Sequence, residues 1–114
     1  NGATAAIPPI ENNDAPQPMK GNMQLLAYDL HADGTATFRR VLVNYEPQDG
    51  PDGLCCDIRG NVYVAERDTT KPGIGIYSPE GEPLGFIPTE LPTNVGFGRG
   101  ADANLLYITA GRSL

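Results

Sequence analysis

Pro51-Asp52-Gly53-Leu54-Cys55-Cys56-Asp57-Ile58-Arg59-Gly60-Asn61-Val62-Tyr63-Val64-Ala65 is the stretch that decides the fold. The apolar run 53–56 is too short for a helix and stops at Asp57-Ile58-Arg59-Gly60, a turn signal. Residues 61–65 return with β-branched and aromatic side chains, so the stretch reads as a short β-hairpin. The same composition recurs. Pro92-Thr93-Asn94-Val95 opens a second unit 41 residues after Pro51, and Leu106-Tyr107-Ile108-Thr109 echoes Val62-Tyr63-Val64-Ala65 after 44 residues. Four short strands per unit of 40–50 residues is the pattern of a propeller blade. A Greek-key sandwich would supply strands but no reason for the echo.

Working outward, residues 24–30 and 37–45 read as a hairpin around the turn Asp33-Gly34. Strict alternation on its second arm would put Phe38, Arg40, Leu42 and Asn44 on one face, and Arg39, Val41, Val43 and Tyr45 on the other. Residues 74–77 and 83–88 flank Pro79-Glu80-Gly81, an echo of the earlier turn. Residues 94–97 and 105–110 form the last pair. With 14 Gly and 11 Pro spread along 114 residues, every window long enough for a helix is interrupted. The expected architecture is all-β: about two and a half blades of a propeller. It comprises the outer strands of one blade (23–45), a complete blade (51–88) and the inner strands of the next (92–110). Residues 1–22, with four Pro and no apolar period, read as a long loop on the functional face. A part-ring of this kind would leave apolar blade faces bare, so the remaining blades of a parent chain are expected partners.

Composition narrows the partners further. The net charge is −6 and no basic patch occurs, which argues against a nucleic-acid surface. No run is long and apolar enough to span a bilayer, so no membrane partner is expected. The first ten residues lack a basic segment followed by an apolar one, and the chain does not begin with Met. The compartment stays open: a soluble protein of the cytoplasm, or a periplasmic or secreted one. Cys55 and Cys56 are adjacent, so in a strand they point to opposite faces and read as small packing residues rather than a disulfide.

In a meandering blade, loops alternate between the two ends of the ring. The short turns 57–60, 99–104, 31–35 and 79–82 fall on one end. The longer polar loops 46–52, 66–73 and 89–94 fall on the other, beside the mouths of the inner strands. A rigid scaffold commonly carries its function on such loops. Asp52 lies at one of these mouths. Glu66 and Arg67 follow the returning strand, and Asn94 opens the next inner strand; all three are candidate contacts for a polar substrate. Asp57 reads as the cap of its own turn. There is no serine elbow, Cys–His nucleophile, phosphate loop or zinc spacing.

The 51–65 stretch closely resembles the P-D-G-[LM]-x-x-D-x-x-G-x-[LV]-[WY]-V-A segment of the gluconolactonase, senescence-marker and luciferin-regenerating-enzyme family. Leu26-Ala27-Tyr28-Asp29-Leu30, Pro92-Thr93-Asn94-Val95-Gly96-Phe97-Gly98 and Leu106-Tyr107-Ile108-Thr109-Ala110 fit the same alignment, so the resemblance covers residues 23–114. It implies a six-bladed propeller with one divalent metal on its axis, most often Ca2+, with Zn2+ and Mg2+ as alternatives. It also implies hydrolysis of sugar-acid lactones or related esters. In the family the metal is held by a Glu, an Asn and an Asp from different blades, and the Asp corresponds to Asp52, which the resemblance also makes the candidate catalytic base. The Glu and Asn belong to earlier blades, so the isolated piece is expected to be inactive. The competing expectation is a non-catalytic propeller that binds protein or carbohydrate, since this fold hosts many functions.

Overall fold

The computed structural model describes residues 21–111. The expected loop over residues 1–22 therefore lies, apart from Gly21 and Asn22, outside the described residues. Among the described residues eight strands form three antiparallel sheets. β1 (Gln24–Leu30) pairs with β2 (Ala36–Asn44). β3 (Leu54–Cys56), β4 (Val62–Glu66), β5 (Gly73–Tyr77) and β6 (Pro83–Pro88) make a four-stranded sheet in sequence order. β7 (Pro92–Phe97) pairs with β8 (Leu106–Ala110) across a 3-10 turn at Gly100–Asp102. Over the described residues the chain is thus all-β, one full meandering blade flanked by two half-blades: eight strands, the equivalent of two four-stranded blades, spread over three.

Short polar side chains close the hairpins. Asp57 Oδ1 accepts the Arg59 and Asn61 amides at 2.9 and 3.0 Å, and its Oδ2 accepts Asn61 Nδ2 at 3.0 Å. Asp33 holds Thr35 in the same manner, and Ser78 Oγ accepts the amides of Glu80 and Glu82. The bonds from amides satisfy backbone donors that the turns leave outside the strand ladder.

The first hairpin corrects the strict alternation expected for it. Leu25 pairs with Val43 but Leu26 with Val41, and Ala27 pairs with Arg40 but Tyr28 with Phe38. Leu42 and Arg39 are therefore extra residues in β2, the two-against-one count of a β-bulge. Each bulge inverts the parity, so Phe38 and Val41 share one face with Tyr28 and Leu26, all four exposed. Tyr28 and Phe38 meet edge to face, with centroids 5.7 Å apart. Arg40 and Val43 take the other face.

The core lies between the second and third sheets. Ala65, Ile74 and Val95 form it, with Cys55, Ile87, Leu106 and Ile108 packed around them. Tyr63 meets Phe97 edge to face with ring centroids 4.9 Å apart. The buried Ile74 and Val95 side chains each contribute on the order of 1.5–3 kcal/mol. Cys55 joins this core while Cys56 is exposed, and both are free thiols. On the other side, fully buried Met23 ties the first sheet to the loop before β3. Its carbonyl accepts the Tyr45 amide at 2.8 Å and its sulfur accepts the Gly50 amide at 3.2 Å.

Candidate functional site

Asp52 is half-buried in the loop that leads into β3. Its amide donates to the Ala65 carbonyl at 2.9 Å, while the Ala65 amide donates to the Gly53 carbonyl, also at 2.9 Å. Two residues thus stand opposite one, again the count of a bulge. A bulge turns a side chain out of the regular alternation, and such features recur beside functional sites. Among the described residues the Asp52 carboxylate makes no hydrogen bond and no ion pair. A half-buried carboxylate with no partner among the described residues is available to a ligand.

The Gly53 amide leaves its own sheet and donates to the Thr93 carbonyl at 2.9 Å. That carbonyl is available because β7 is irregular at the same level: Pro92 pairs with Ala110 and Asn94 with Thr109, leaving Thr93 unpaired in the ladder. The two inner strands therefore meet through opposed irregularities, one on each sheet. Asn94 packs directly over the Gly53 backbone, and its Oδ1 accepts the Val95 amide at 2.9 Å. Asn94 is exposed and lines a shallow concavity of about 200 Å3 with Tyr107 and Thr109. Beside it the Thr93 and Thr109 hydroxyls lie 2.8 Å apart.

Arg67 sits at this junction too, but its guanidinium is engaged within the protein: Nη1 donates to the Pro92 carbonyl at 2.7 Å. Glu66 goes elsewhere. Its carboxylate lies over Gly75, where an added Cβ would stand 2.6 Å away, and it accepts a short hydrogen bond from the Tyr77 hydroxyl. Glu66 and Tyr77 line a larger concavity of about 360 Å3 between the first and second sheets, with Tyr45, Glu46, Lys71 and Phe86. Asp52 does not line it. The structure therefore brings Asp52, Asn94 and Arg67 to one junction between sheets and takes Glu66 to another.

This second cluster was not singled out in the sequence. Burial, then the neighbouring Glu66 charge, pushes the Tyr45 hydroxyl pKa well above its usual value. Burial, followed by the hydrogen bond to Glu66, does the same to Tyr77. The Tyr45 hydroxyl is buried with no hydrogen-bond partner among the described residues. The available signal was Gly75-x-Tyr77: a glycine in β5 leaves room for the Glu66 carboxylate two residues before the tyrosine that donates to it, while the space over Gly73 is taken by Phe86.

The donor chemistry at Asp52 suits a hard cation, since a free carboxylate is an oxygen ligand of the kind Ca2+ takes. No group of three or more His, Cys, Asp or Glu placed to hold a metal occurs among the described residues. Among the described residues Asp52 is thus a single oxygen donor of this kind and not a complete cage. A family model described as the SMP-30/Gluconolactonase/LRE-like region matches residues 21–112. Neither a curated protein sequence nor a solved structure gives a match.

Proposed function

The chain belongs to the SMP-30/gluconolactonase/LRE-like family of β-propeller proteins, and from that premise we propose that it contributes Asp52 to the metal site of a lactonase. The reaction proposed is hydrolytic opening of a sugar-acid lactone or a related ester. Water adds to the carbonyl carbon, the ring ester C–O bond breaks, and the departing oxygen takes a proton to leave an open hydroxy acid.

The observation that carries this reading is the Asp52 carboxylate, without a partner among the described residues, on a bulge where two inner strands meet. A divalent cation there, Ca2+ in the first instance, would supply the positive charge that polarises a lactone carbonyl. Asp52 is the residue of this chain that would hold it. Asp52 is also proposed as the acceptor for the proton of the attacking water. The exposed Asn94 is the side chain of this chain best placed to meet a hydroxyl of the substrate. Arg67 and Glu66, originally candidates for that role, have their charged groups committed to Pro92 and Tyr77.

Lactone hydrolysis by the full-length protein, with and without a chelator and beside Asp52→Ala, tests the proposal. Loss of turnover in both cases is expected. Turnover indifferent to both defeats it.

A further inference from the structure

We propose that Arg67 is a positioning residue for Asp52, acting through the backbone of the two inner strands. The inference rests on reading Asp52 as a metal ligand. Three hydrogen bonds and two short runs of chain close a circuit, and a fourth hydrogen bond ties Asp52 to it. Arg67 Nη1 donates to Pro92 O at 2.7 Å, and Pro92 is followed by Thr93. Thr93 O accepts the Gly53 amide at 2.9 Å. Gly53 O accepts the Ala65 amide, Ala65 O accepts the Asp52 amide, and Ala65 runs through Glu66 back to Arg67.

Each link is specific. Pro92 is fully buried, and a charged donor bonds a carbonyl there more strongly than a neutral one. The Thr93 carbonyl reaches Gly53 only because β7 departs from its ladder at that residue. The Asp52 amide reaches Ala65 through the two-against-one step at Asp52–Gly53, just before β3. Arg67 spans the two sheets and holds these irregularities level with each other. Take it away and the Pro92–Thr93 segment is free to shift, the Gly53 amide loses its fixed acceptor, and the backbone that aims Asp52 loosens. Outer-shell partners of metal ligands commonly change affinity by about 10–100-fold.

Ca2+ titration of the full-length chain by calorimetry, with amide hydrogen exchange at Gly53, tests this on wild type, Asp52→Ala, Arg67→Gln, Arg67→Lys and the core control Val64→Ala. Expected are loss of Ca2+ binding in Asp52→Ala, affinity about 10-fold weaker in Arg67→Gln, and recovery in Arg67→Lys, which keeps a charged donor. Gly53 exchange should rise in Arg67→Gln before any metal is added, and Val64→Ala should lower thermal stability without weakening Ca2+ binding. Wild-type affinity and exchange in Arg67→Gln, beside lost binding in Asp52→Ala, overturns the positioning role alone. Ca2+ binding that survives in Asp52→Ala, or is absent from wild type, overturns the reading of Asp52. If Arg67→Gln fails to fold, an Arg67→Lys chain that folds but binds no more tightly than Asp52→Ala overturns the role.

Discussion

A Cβ on Gly53 would stand inside the van der Waals envelope of Asn94 Oδ1 and 3.0 Å from Asn94 Cα. A Cβ at position 53 therefore fits only if the Asn94 amide swings aside and the β7 backbone gives by a few tenths of an ångström. We expect Gly53→Ala to destabilise by roughly 1–3 kcal/mol, the usual cost of overpacking. Asn94→Ala in the same chain should relieve the part of that cost due to the amide, but not the part due to Asn94 Cα. A double-mutant cycle by chemical denaturation measures the coupling; strictly additive effects would refute the contact.

The two tyrosines around Glu66 make an alkaline prediction. Both hydroxyls have pKa values raised by burial in the folded state, while unfolded tyrosine ionises near ~10. Raised folded values stabilise the protein below the unfolded pKa. That contribution falls away as the pH climbs from about 10 toward the folded values. Thermal midpoints should drop above pH ~10, and less so in Tyr45→Phe. At neutral pH Tyr45→Phe also removes a buried hydroxyl that has no hydrogen-bond partner among the described residues, so stability should hold or rise by about 1 kcal/mol. Tyr77→Phe should lower it, because the Glu66 carboxylate loses its donor. Equal losses from the two substitutions at neutral pH would contradict the geometry.

Asp57 predicts the opposite limb. Partial desolvation raises its pKa, but the hydrogen bonds from Asn61, Arg59 and Tyr63 outweigh that and hold the carboxyl below its ordinary range. A lowered folded value stabilises the protein above the unfolded pKa of ~3.9, and the contribution is lost as the pH falls through the folded value. Asp57→Ala should therefore melt below wild type at pH 7, with the two curves converging in strong acid. A gap between the thermal midpoints that stays constant down to pH ~2 would rule out the ionised cap.

The strands and turns were legible because they depend on local chemistry. Asp57 two and four residues before the amides it caps, and apolar runs bounded by glycine, need no knowledge of the rest of the chain. The face assignment of β2 was not legible: Arg39 and Leu42 become bulge residues only when β1 sets the register, and no local signal marks them. At the candidate site the sequence pointed to the mouth of β3, since Pro-Asp-Gly is a turn by itself. Where Arg67 and Glu66 point was hidden. Both are ordinary loop charges until Pro92 of another sheet and Tyr77 of the neighbouring strand supply their partners, 25 and 11 residues away.

The sequential order of the four-stranded sheet bears on how the molecule assembles. Each of its strands pairs with the next along the chain, so its loops are short and cheap in chain entropy to close. During synthesis this sheet can zip up once Pro88 clears the ribosome. The Gly53–Thr93 bond must wait for a strand that has not yet emerged. The junction beside Asp52 is thus completed last, by docking of finished sheets, and protection of the Gly53 amide serves as a clock for that final event.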